Sequence, residues 1–138
     1  MDMPVVSRAG AQLHGRSLHV NNRAMREERG NIAGDIVVNE EFTLWGVILG
    51  NVKVVNEGKF YIRGSVYGNL IVDRGGRVHI FGQVTGNVRL EKYSKTINSG
   101  LVGGDLINEG GRYFGDPDSK ILGKIKARKG ETELPKPR

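Results

Sequence analysis

The sequence predicts an all-β, single-domain parallel β-helix. Three observations predict it: an 18-residue repeat, strand-type alternation within each repeat, and glycine at recurring places between short strands. Gly50, Gly68, Gly86 and Gly104 are evenly spaced at that period, and Gly46, Gly64, Gly82 and Gly100 keep the same spacing. Self-similarity at a fixed period marks a solenoid, in which each repeat buries its apolar face only against its neighbours. A chain of 138 residues suffices for one such domain. Aromatics at 7% leave no material for a large aromatic core, and 21 Gly, about twice average usage, need a structural reason.

The elements follow in chain order. Residues 1–29 read as an N-terminal tail, partly disordered or capping, in which RAMREERG (23–30) forms an amphipathic turn over the first coil. Leu18 and Val20 precede Ile36 and Val38 by one full period and suggest a degenerate first coil. The β-helix domain spans 30–127. It begins with Gly30 to Gly34, a Gly-x-apolar-x-Gly unit, and GDIVVNEEFTLWGVIL (34–49), a copy shortened by a deletion between Val38 and Phe42. Four further copies start at 50, 68, 86 and 104, giving five to six coils.

Within a copy, Val52, Val54, Phe60, Ile62 and Val66 are matched by Leu70, Val72, Val78, Ile80 and Val84. These share one parity, the period of a strand with one buried face. Glycine between the pairs supplies corners, so three short strands and three corners make one triangular coil. A helix is untenable, because each interior Gly costs it about 0.8–1 kcal/mol. A left-handed hexapeptide helix has coils of the same length but needs an aliphatic at every sixth position. Here the inward spacings run 2, 6, 2, 4 and 4, so a right-handed coil is favoured. KIKARKGETELPKPR (124–138) opens as a last strand with Ile125 inward, and 128–138 reads as a basic, disordered tail.

Charge is segregated. The net +6 divides into +2 for residues 1–29, −1 for 30–119 and +5 for 120–138. A neutral body between basic tails argues against a nucleic-acid groove in the fold. The absence of Cys excludes disulfides, thiolate metal sites and cysteine nucleophiles. No apolar stretch approaches the roughly 20 residues of a membrane helix, and MDMPVVSRAG has no signal-peptide pattern. A cytoplasmic protein is expected, with membrane association through the basic tails as its one link to lipid.

Repeated G-[ND]-[VIL]-x-[VIL] and G-x-V-x-G units, closing on LINEGGRYFGD (106–116), resemble the bactofilins, a family of bacterial cytoskeletal proteins. The resemblance covers about residues 30–127. It implies a small right-handed β-helix that assembles by end-to-end stacking of coils, without nucleotide, into a non-enzymatic polymer or scaffold. The chain departs from the pattern in its longer, more basic tails, and in Ser94 and Thr96, which replace a glycine and an apolar residue.

Several residue sets are candidates for function. In end-to-end assembly the terminal inward residues make the contact: Leu18, Val20 and Ile36 at one end, Phe114 and Ile125 at the other. Trp45, Tyr61, Tyr67 and Phe81 have outward parity and define a lateral or partner face, the basis of an alternative reading as an adaptor or immunity-type binding module. Lys59, Arg77 and Lys95 repeat at the same period and form a cationic column, solvated or neutralised by an anionic partner. Asp35, Asn51, Asn69, Asn87 and Asp105 follow a Gly in each copy, and a backbone-capping role is favoured over ion binding. His14, His19 and His79 do not form a ligand set, Glu40-Glu41 and Asp116/Asp118 read as solvated turns, and no phosphate-binding loop is present. No catalytic residue, metal or cofactor is expected. The expected partner is a second copy of the chain, with a protein or an anionic membrane surface as further contacts.

Overall fold

Strand-sized apolar pairs broken by glycine fold here into a solenoid of six coils with three strands per coil. The structure is a computed structural model that describes the backbone of residues 5–6, 9–13, 18–21 and 27–135 and the side chains of 27–135. Among the described residues there is no helix. The first face stacks Ile36–Val38, Val52–Val54, Leu70–Val72, Val88–Leu90 and the start of Leu106–Gly115. The second stacks Glu27–Glu28, Glu41–Leu44, Lys59–Ile62, Arg77–Ile80, Lys95–Asn98 and the remainder of Leu106–Gly115. The third stacks Asn31–Ala33, Val47–Leu49, Ser65–Val66, Gln83–Val84, Leu101–Val102 and Lys120–Ile121. All of these pairings are parallel.

The register is the sequence repeat made visible. Val52 sits under Leu70 and Leu70 under Val88, while Phe60 aligns with Val78 and Ile62 with Ile80. The short copy is accommodated at one corner. Before it Val38 aligns with Val54, a shortened offset, and after it Glu41 aligns with Lys59, a full period on. The inward residues fuse into one core running the length of the solenoid, with Phe42 and Phe60 stacked at 5.7 Å. Towards the C-terminus the core turns polar. Asn98 donates to the Tyr113 hydroxyl at 3.1 Å, and Asn108 bonds the backbone of Gly110, Gly111 and Glu131. Buried amides are tolerated there because their hydrogen bonds are made; only Thr96 Oγ1 and Asn39 Oδ1 are buried without a partner among the described side chains.

Three expectations are corrected. Leu18–Asn21 pairs antiparallel with Ala9–Leu13, and it is Val5–Val6 that lies beside Val37–Val38, so Leu18 and Val20 do not form a coil over Ile36. Of RAMREERG, residues 23–26 lie outside the described residues, and Glu27–Glu28 is a strand beside Thr43 and Leu44, not part of a turn. Residues 128–133 are not a disordered tail: Ile125–Glu133 is a strand of nine along Leu106–Gly115, bulged around Arg128. Its polar composition misleads because its amides are satisfied by the coil beneath, whatever its side chains.

Candidate functional site

The column after each glycine is a backbone device. Asp35 Oδ1 accepts from the Asn51 N–H at 2.7 Å, and Asn51, Asn69 and Asn87 each accept from the next residue in the column at 2.8 Å. Asp105 closes the ladder on the Lys124 N–H. Each side chain caps an amide that the corner would otherwise leave unpaired, and the capping reading holds.

The second face carries the densest charge. Glu41, Lys59, Arg77, Lys95, Arg112 and Glu131 fall in one register line across adjacent strands. Four cations therefore stand side by side, about 4.8 Å apart at the backbone. Sequence spacing found three of them. Arg112 falls one position short of the interval that joins Lys59, Arg77 and Lys95, but Gly110-Gly111-Arg112 repeats Gly75-Gly76-Arg77, and that signal locates it. Beside the row runs a second line of Thr43, Tyr61, His79, Ile97 and Phe114. An open groove of about 610 Å³ flanks the row on its other side, over a floor that includes Gly75, Gly76, Gly110 and Gly111, with Tyr93 at its edge.

Phe114 is thus not an inward end residue. It is 41% exposed on the side of the solenoid, and its neighbour Tyr113 fills the core at 2%. The corner between Asn108 and Arg112 is one position shorter than that between Leu90 and Lys95, which flips the parity carried forward from the earlier coils. Ile125 does hold an inward register, over Leu106, and is 41% exposed, with no further coil over it among the described residues. Ile36 is fully buried, with Val5–Val6 on the strand beyond it.

The outward aromatics do not gather into one patch. Trp45 lies between two guanidinium groups, Arg29 at 5.0 Å and Arg63 at 5.1 Å, and donates its indole N–H to Glu27 at 2.7 Å. Arg63 reaches on to Phe81 at 4.2 Å, and the other neighbour of Phe81 is His79, stacked at 3.8 Å. These rings are spent on an intramolecular ladder of alternating cation and ring. Tyr61 stands on the second face, whereas Tyr67 stands past the third face, at the far end of Ser65–Val66. The proposed aromatic face is divided between different sides of the solenoid.

His79 bonds the Ser99 hydroxyl at 3.0 Å. Burial holds its pKa below the ordinary histidine value, against the opposing pull of the Asp116 carboxylate and with a smaller push from Arg63. Asp116 is held low chiefly by the Ser99 hydroxyl. Of the other histidines, His14 lies outside the described residues and only the backbone of His19 is described. Among the described residues no group of three or more His, Cys, Asp or Glu could hold a metal ion.

The C-terminal end of the solenoid is open. Among the described residues Ile125–Glu133 pairs along one edge only, and Lys120–Ile121 ends its sheet. Leu122, Ile125 and Leu134 are exposed there at 67%, 41% and 42%. Sequence reasoning missed Leu122, which it placed at the close of the last copy without a role, and Leu134, which it placed in a disordered tail. No family model, curated protein or solved structure matches the chain.

Proposed function

We propose that the protein is a non-enzymatic structural protein of the bactofilin kind, which self-associates by stacking the open C-terminal ends of its β-helix without nucleotide. The observation that carries this reading is the unpaired edge of Ile125–Glu133 with its exposed Ile125 and Leu134. An uncovered edge is a template for another strand.

The edge suits a second copy of itself. Turned antiparallel about Lys129-Gly130, the strand sets Ile125 opposite Leu134, Lys126 opposite Glu133, Ala127 opposite Thr132 and Arg128 opposite Glu131. The terminal apolar residues meet each other, and Lys126 and Arg128 each meet a carboxylate, with Lys129 beside Gly130 at the axis. The sides agree as well: Ile125, Ala127 and Thr132 align with the buried Leu106, Asn108 and Tyr113, and Lys126, Glu131 and Glu133 with the outward Ile107, Arg112 and Phe114. The two-fold axis passes through the corner, so the first face of one copy continues into the second face of the other, an isologous contact. Growth beyond a pair uses the opposite end, where Glu27–Glu28 and Asn31–Ala33 are the last strands of their stacks.

Sedimentation and electron microscopy test the reading. The parent chain is expected to form end-to-end pairs or filaments, and Ile125→Lys is expected to disperse them with little change in melting temperature. Glu133→Lys alone should weaken association by setting Lys against Lys126, and adding Lys126→Glu should restore it. A parent that stays monomeric when concentrated, or assemblies that persist in Ile125→Lys, would overturn the proposal.

A further inference from the structure

The geometry points to the cationic row of the second face as a binding site for a linear acidic polysaccharide, lying along the solenoid axis with its carboxylates against Lys59, Arg77, Lys95 and Arg112. The first observation is a contrast in neutralisation. On the first face every outward cation has a carboxylate: Lys53 with Asp73 at 3.7 Å, Arg89 with Glu91 at 2.6 Å, and Lys126 with Asp105 at 3.8 Å. On the second face, among the described residues, Lys59, Arg77 and Lys95 have no ion pair, and Arg112 has only the exposed Glu131 at 3.7 Å. Like charges directly opposite on adjacent strands destabilise a sheet. A chain that neutralises one face and leaves the next repelling breaks a local rule where function is expected.

The shape selects the ligand. The row is one cation wide and ends in carboxylates, Glu41 before Lys59 and Glu131 after Arg112, so it presents four positive positions in line. Its backbone repeat of about 4.8 Å is comparable to the rise per sugar of an extended glycan, and the long, flexible Lys and Arg side chains can reach carboxylates that turn about the chain axis from one sugar to the next. The neighbouring glycine-floored groove of about 610 Å³ leaves room for the sugar rings.

Nucleic acid fits less well, because single strands need free aromatic platforms for their bases. Here His79 is stacked on Phe81, and the exposed rings near the row, Tyr93 and Phe114, stand singly on its two sides rather than as a series of platforms. A membrane fits less well, because Tyr61 and Ile97 beside the row are half-buried and Phe114 is the one exposed apolar side chain in that line, too little to insert.

Binding of the full-length protein to oligogalacturonate tests the inference, with its methyl ester, oligo-dT and phosphatidylglycerol vesicles as competing probes. Oligogalacturonate is expected to bind in a salt-sensitive manner and the uncharged ester not to bind. Arg77→Ala/Lys95→Ala is expected to bind about ten-fold more weakly or worse, while melting no lower than the parent. Lys53→Ala, on the first face, should bind as the parent does. Failure of the parent to bind oligogalacturonate, binding indifferent to the double substitution, or tighter row-dependent capture of oligo-dT or vesicles would each overturn the inference.

Discussion

At the scale of single residues, parity decided most environments, and the exceptions have local causes. Ile80 and His79 are neighbours in sequence, yet one is fully buried and the other faces outward. What parity could not supply was the company His79 keeps: Phe81 beside it on the same strand line, Ser99 in the next coil and Asp116 beyond it. That company sets a pH dependence. Because burial lowers the folded pKa of His79 below its unfolded value, the unfolded chain binds more protons in the interval between them, and stability rises with pH there. The contribution is fully present above the unfolded value and is lost as pH falls towards the folded one. Melting temperatures between about pH 7 and pH 5 should therefore drop more steeply for the parent than for His79→Phe, which keeps the ring stack and cannot titrate. Parallel curves would show that His79 does not titrate differently in the two states. Asp116, held low by Ser99, contributes only at more acidic pH.

At the scale of the strand and corner, the sequence was legible wherever the repeat period held, and it misled where a corner changed length. Between Val38 and Glu41 the deletion was visible, since apolar pairs flank it on both sides. Between Asn108 and Arg112 a single missing residue was not, and the error passed to Phe114. The last strand was hidden for a different reason: IKARKGETE carries no apolar alternation, and its pairing comes from backbone bonds to Leu106–Gly115. Of the candidate site, spacing located three cations and the Asx ladder, while the aromatic ladder depended on side-chain reach between coils. Glycine at the corner before the third face serves close approach rather than an unusual φ: a Cβ on Gly82 would run into the Gly64 carbonyl oxygen. Gly82→Val must push two coils apart and should cost about 1–3 kcal/mol or more. Gly30→Ala meets nothing nearer than the Glu28 carboxylate at 3.4 Å and should stay within about 0.5 kcal/mol. Chemical denaturation of both variants checks the pair; equal losses would mean that the corner glycines are not needed for coil spacing.

At the scale of the whole molecule, a solenoid has no centre that all parts share. Each coil is held by the one above and the one below, so stability is close to a sum of coil terms and nearest-neighbour terms. The central coils, from Val52 to Leu90, have partners on both sides and an apolar core. The terminal strand Ile125–Glu133 has one partner and exposed apolar residues. Opening free energies in such a protein should be graded. Amide exchange is expected to be slowest in Leu70–Val72 and Arg77–Ile80 and to quicken towards Ile125–Glu133. Association through that last edge adds a second expectation: raising the protein concentration should slow exchange in Ile125–Glu133 and leave the central coils unchanged. The two effects are separable, because the gradient belongs to the monomer and the concentration dependence to the contact. Uniform exchange along the solenoid would mean that six coils open as one cooperative unit. A gradient with no response to concentration would keep the one-dimensional description and remove the C-terminal edge as the assembly surface.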